Sequence, residues 1–169
     1  ALCRESGATT QRALREKIEA ALEGEQYAVH LKGGAEIAYT TITNLLPTSP
    51  ALSLLMVDTE KAFQTMSRRL ISFAIVLFLP ELYNGFAMAY SNTSRVFYWT
   101  TDGLPHNGWQ SVAPKCFLSA SGVRQGDPLG PLYFSLGQML LDRFVAAAIT
   151  GRTIATVLLE DPKVCAEAK

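Results

Sequence analysis

The chain has no surplus charge of either sign. Fifteen Lys plus Arg stand against fifteen Asp plus Glu over 169 residues, so the whole-molecule field that draws in nucleic acid is missing. Cysteine is scarce and poorly spaced. Cys3, Cys116 and Cys165 are odd in number, far apart and without a C-x-x-C pair, which argues against a disulfide framework and a zinc site and favours a reducing compartment. The most apolar run, LISFAIVLFLP at residues 70–80, is too short to span a bilayer before Pro80 and Glu81 interrupt it. The amino terminus has no continuous apolar stretch of the signal-peptide kind. His30 and His106 are distant from each other and from any cysteine partner, which disfavours metal ligation through them. These absences describe a soluble intracellular protein, and the missing initial Met suggests a piece of a longer one.

Hydrophobic residues make up 49% of the chain, enough for one domain with a real core. Charge is unevenly spread: residues 61–152 carry Lys61, Arg68, Arg69, Arg95, Lys115, Arg124, Arg143 and Arg152 against Glu81, Asp102, Asp127 and Asp142, a mild basic excess that is also compatible with ordinary solvated charge. Leu14, Ile18, Ala21 and Leu22 recur at helical intervals and predict an amphipathic helix ending near Gly24. Residues 32–50 predict a second helix entered through Gly33-Gly34 and closed by Pro47 and Pro50. ALSLLMVD, residues 51–58, reads as a buried strand delivering Asp58 to its open end. A long helix follows, with a stripe of Ala62, Met66, Leu70 and Phe73, and then a β-rich stretch around residues 94–100. Its aromatics, Phe97, Tyr98 and Trp99, together with Trp109, suit core or turn packing better than base stacking.

The sequence SGVRQGDPLGPLYFSL, residues 121–136, sets Arg124, Gln125 and Asp127 at the mouth of an apolar helix spanning roughly 129–149. Asp127 before Pro128 reads as a helix cap, because a carboxylate there accepts orphan N–H groups and Pro suits the first turn. Beyond Gly151, TIATVLLEDPKVCA reads as another strand, ending in Glu160 and Asp161. Two strands carrying carboxylates to one end would suit Mg²⁺, a hard ion that takes oxygen ligands.

Three of these stretches resemble the palm of reverse transcriptases of the non-LTR retrotransposon type. LSLLMVDTEKAF is similar to the family's first palm motif, SGVRQGDPLGPLYFSL is very close to its second, and ATVLLEDPKV stands where the third should be. QYAVHLKGGAE, residues 26–36, resembles the region just before the palm. The resemblance implies an α+β fold, a polymerase palm with a small antiparallel sheet packed on helices, part of the fingers and no thumb. Residues 1–50 would be the helical lead-in and partial fingers, and residues 51–169 the palm.

The function it implies is RNA-directed DNA polymerase activity, with two-metal nucleotidyl transfer to a primer 3′ hydroxyl. Mg²⁺ or Mn²⁺ would be the cofactor, with RNA template, DNA primer and dNTP as partners, and no membrane, inside a nuclear retroelement protein. By resemblance Asp58, Glu160 and Asp161 hold metal and are catalytic. Lys61 and Ala62 offer backbone N–H groups to the triphosphate, and Phe63 screens the sugar. Gln125 contacts the incoming nucleotide or nascent base pair, Gly126 lets the backbone come close, and Arg124 meets a phosphate.

The third motif departs from the pattern. Leu158 stands for an aromatic residue, Glu160 for an Asp, and Pro162 removes a donor where a second hairpin strand should begin. Gln64 replaces another Asp. A second reading is therefore a non-catalytic relic of the same fold, acting at most as a nucleic-acid or protein binding module. A metal-dependent nuclease or phosphatase ranks last, because it gives the Gln-Gly-Asp-Pro loop no role.

Overall fold

The computed structural model describes residues 2–29, 31–54, 56–98 and 115–167. His30, Trp99, His106 and Trp109 therefore lie outside the described residues. The chain forms α1 (Leu2–Ala13), α2 (Arg15–Leu22), α3 (Gly34–Thr48), α4 (Ala62–Thr65), α5 (Arg68–Phe78), a 3₁₀ turn (Pro80–Leu82), α6 (Tyr83–Tyr90), β1 (Ser94–Tyr98), β2 (Lys115–Ser119), α7 (Gly130–Thr150), α8 (Ile154–Glu160) and α9 (Pro162–Glu167). The class is α+β, with helices dominating a two-stranded antiparallel ribbon.

The core lies between α5 and α7. Ile71, Ala74, Ile75 and Phe78 recur at helical intervals on one face of α5, and all are buried against Leu132, Leu136, Met139 and Leu140 of α7. Gly137 allows the close approach: a Cβ there would lie 2.5 Å from Met66 Sδ and 3.1 Å from Ile71 Cγ1. Ile18 and Leu22 of α2 close one side. Phe86 and Tyr90 of α6 stack at 5.0 Å, and Tyr133 of α7 meets both edge-on. Among the described residues α7 is the one helix long and apolar enough to cross a membrane, but its buried face makes it the central core helix.

The helix expected up to Gly24 is present as α1 and α2, parted at Leu14, with Ile18, Ala21 and Leu22 buried and the chain turning at Gly24 in a positive-φ conformation. Helix α3 also stands where predicted, though it runs through Pro47 to Thr48 and is largely exposed, with Gly34 buried and Ala38 half-buried.

Four expectations are corrected. The long helix after Asp58 is broken in two: Ser67 adopts extended backbone and caps α5 through Leu70 N–H, which separates it from the short α4. The buried stripe is shifted accordingly, leaving Phe73 48% exposed.

Residues 52–54 and 56–59 form no strand, and Leu52, Leu54, Met56 and Val57 are exposed. A buried strand needs a neighbour for its N–H and C=O groups. β1 and β2 pair with each other, Val96 opposite Phe117, and the segment expected to lie beside Asp58 is helical.

Residues 154–160 and 162–167 are helices, not a strand and turn. Thr153 caps α8 by accepting from Thr156 N–H at 3.2 Å, and Pro162 opens α9 behind Asp161. Finally, Phe97 is 60% exposed on β1 and takes no part in the core.

Candidate functional site at the Gln125 loop

The loop between β2 and α7 docks on the turn that carries Phe63. Gly122 N–H donates to Met66 O at 2.8 Å, Val123 N–H to Phe63 O at 2.8 Å, and the Ser121 hydroxyl to Gln64 O at 2.8 Å. Gly122 makes this contact possible. Its φ is +64°, and a Cβ would lie 2.2 Å from Phe63 O. The Phe63 ring is half-exposed and packs on Phe134 at 4.6 Å between centroids. Two predicted site regions about sixty positions apart thus meet through their backbones.

The rest of the loop is anchored by α5 and α6. Arg68 is buried and donates from Nε to Gly122 O, from Nη1 to Ser119 O and from Nη2 to Ser119 Oγ, each at 2.9 Å. The Tyr90 hydroxyl donates to the Asp127 carboxylate and accepts Arg124 N–H at 3.0 Å. Burial, then the hydrogen bond to Asp127, pushes the Tyr90 hydroxyl well above its usual value. The capping role expected of Asp127 is corrected: Oδ1 accepts Leu129 N–H at 2.9 Å within the turn that leads into α7, while the helix itself opens at Gly130 with Leu129 at its cap position and no side-chain cap bond. Gln125 and Gly126 remain exposed at the tip, Gly126 with φ +85°.

Arg124 is engaged within the chain through its guanidinium. Its Nη2 donates to Ala89 O at 2.7 Å and bonds Ser94 Oγ, and its guanidinium lies 5.2 Å from the Tyr90 ring centroid. Lys61 has φ +51° and lies 3.5 Å from Glu60 in an exposed ion pair, with Ala62 and Phe63 opening α4 behind it.

The acids are elsewhere. Asp58 is exposed in the irregular stretch before α4. Glu160, at the end of α8, pairs with Arg152. Asp161 is buried between α8 and α9, its Oδ2 2.7 Å from Arg143 Nε and its Oδ1 accepting Lys163 N–H at 2.9 Å. About 13 Å of helical rise separates Arg143 from Phe134, where α7 meets the Phe63 turn. No cluster of three or more His, Cys, Asp or Glu occurs among the described residues. With both Asp161 oxygens engaged inside the protein, the three acids do not fit a shared Mg²⁺ in this conformation.

Arg68 and Tyr90 were not legible as site residues. Arg68 stands in SRRL, which looks like solvated charge, and Tyr90 in an unremarkable apolar helix. Three comparisons bear on the family: no protein family, no curated protein and no solved structure matches the chain.

Proposed function

We propose that the chain is a reverse-transcriptase-type palm fragment, part of an RNA-directed DNA polymerase that adds deoxynucleotides to a primer 3′ hydroxyl on an RNA template. The reading rests on the second-motif sequence GVRQGDPLGP together with one structural observation, the hydrogen bond from Val123 N–H to Phe63 O at 2.8 Å. It brings the proposed sugar-screening residue beside the loop that carries Gln125. In this reading Gln125 faces the nascent base pair and Phe63 faces the sugar, on backbones held to each other.

A second reading has its own support. Asp161 is buried in an ion pair with Arg143 that ties α7 to the α8–α9 junction, and Glu160 is in an exposed pair with Arg152, so both third-motif acids are engaged within the chain. That favours a non-catalytic relic that keeps the nucleotide-facing loop without the chemistry.

Primer extension on an RNA template, with Mg²⁺ or Mn²⁺, separates the two readings. It is run with the longer polypeptide expected to carry this chain, beside its Asp58→Asn variant. Extension that disappears in Asp58→Asn supports the polymerase. Equal extension by both proteins ends the catalytic assignment of Asp58, and extension by neither leaves the relic.

A further inference from the structure

Arg68 is 9% exposed, and its hydrogen bonds among the described residues all go to Ser119 and Gly122 rather than to a carboxylate. Burying a cation without a counter-ion is unfavourable unless its donors are satisfied. Three oxygens, two of Ser119 at the end of β2 and one of Gly122, take three of its five N–H donors here. The arrangement ties α5 to the start of the loop, while Tyr90 ties α6 to its far side through Arg124 N–H and Asp127. The two anchors touch: the Arg68 guanidinium lies 5.2 Å from the Tyr90 ring centroid, and the ring is wedged against Phe86 and Tyr133. The loop is therefore fixed on both flanks of Gln125, and its first residues, 121–123, are also hydrogen-bonded to the Phe63 turn.

We propose that Arg68 and Tyr90 are positioning residues that hold Gln125 and Phe63 in one fixed relation, presenting a preformed face to a deoxynucleoside triphosphate. The proposal rests on the nucleotide-facing reading above. A loop fixed in advance does not have to be ordered when the nucleotide binds, so the brace acts on affinity and leaves the chemical step alone. If loosening left the loop correctly posed about one tenth of the time, apparent affinity would fall about tenfold.

Tyr90→Phe is the decisive variant, because it removes the hydroxyl and keeps the ring in its aromatic cluster. Two measurements are made on this chain: amide hydrogen exchange of residues 121–127 against residues 132–140 of α7, and calorimetric titration with Mg²⁺-dTTP. The expected result is exchange at Arg124 and its neighbours faster by about tenfold or more, α7 protection unchanged, and dTTP affinity lower by about tenfold. Arg68→Lys should give a smaller change of the same kind. In the longer polypeptide, if it extends primers, the Tyr90→Phe change should appear in the KM for dTTP with kcat within about twofold of the parent. Unchanged loop exchange in both variants would overturn the brace, and so would a loosened loop with undiminished dTTP affinity. A loop loosened in the variants, with no dTTP bound by the parent chain, would keep the brace and remove the nucleotide reading.

Discussion

Arg143 holds Asp161 at 2.7 Å and bonds Glu25 through its other guanidinium nitrogens, so α7 is tied to the end of α2 and to the α8–α9 junction at once. Lys163 reinforces the same corner, donating to Ala21 O and Glu23 O at 2.8 Å each. Glu25, then Asp161, outweighs the burial of Arg143 and raises its pKa.

Removing the guanidinium should leave Asp161 buried and uncompensated. We expect Arg143→Met to lower unfolding stability by about 3 kcal/mol, read as a fall in the urea midpoint. Asp161→Asn in the Arg143→Met background should recover part of the loss, since it removes the stranded charge. No recovery would mean that the guanidinium's other contacts, with Glu25 and with the Phe78 ring centroid at 5.4 Å, matter more than its pairing with Asp161.

The buried tyrosines predict an alkaline limit. Burial, then the nearby Asp127 carboxylate, pushes the Tyr133 hydroxyl from 10.0 up to about 12, and Tyr90 moves in the same direction. A folded-state value above the unfolded one gives stability that is complete below pH 10.0 and lost as pH rises towards about 12. Urea midpoints should therefore hold steady up to about pH 10 and then drop, with a shallower drop in Tyr133→Phe. Equal drops in parent and variant would assign the alkaline loss to other groups.

The backbone contact between the loop and the Phe63 turn can be tested without any ligand. Gly122→Ala meets both a φ of +64° and Phe63 O at 2.2 Å, whereas Gly24→Ala meets a φ of +78° with nothing within 4 Å. Gly24→Ala should cost about 1 kcal/mol from backbone strain alone. Gly122→Ala should cost at least about twice that and also speed amide exchange at Val123. Similar losses in the two variants would show that the loop moves away from Phe63 easily.

How far the sequence foretold this arrangement depends on the range of the signal. Asp127-Pro128 was legible as the turn leading into α7, because a side-chain bond to the backbone two residues on is a local interaction, though the helix opens later, at Gly130. Asp161-Pro162 carries the same signal, with Asp161 Oδ1 accepting Lys163 N–H, but the β-branched residues Thr153, Ile154, Thr156 and Val157 suggested a strand. The cap at Thr153 and the packing of Leu158 on the core override that preference. ALSLLMVD has strand composition, yet a strand depends on a partner that no local pattern can supply. Arg68 and Tyr90 were hidden for the same reason: their roles arise from contacts 34 to 54 positions away in the chain.

The engagement of Asp161 leads to a prediction about metal. In the free chain Oδ2 faces Arg143 and Oδ1 accepts Lys163 N–H, so a divalent ion must displace a guanidinium from a buried carboxylate before it can bind there. Losing such a pair costs about 3 kcal/mol, a factor of roughly a hundred or more in binding, and Asp58 is exposed rather than held beside it. Millimolar Mg²⁺ should therefore leave the melting temperature of this chain unchanged, and Mn²⁺ should not preferentially broaden the nuclear magnetic resonances of residues 160–163. Primer extension by these 169 residues alone should be undetectable. Selective broadening at Asp161 and Asp58 together, relieved by Asp58→Asn, would mean that the acids converge on metal in solution and would restore the catalytic reading in full.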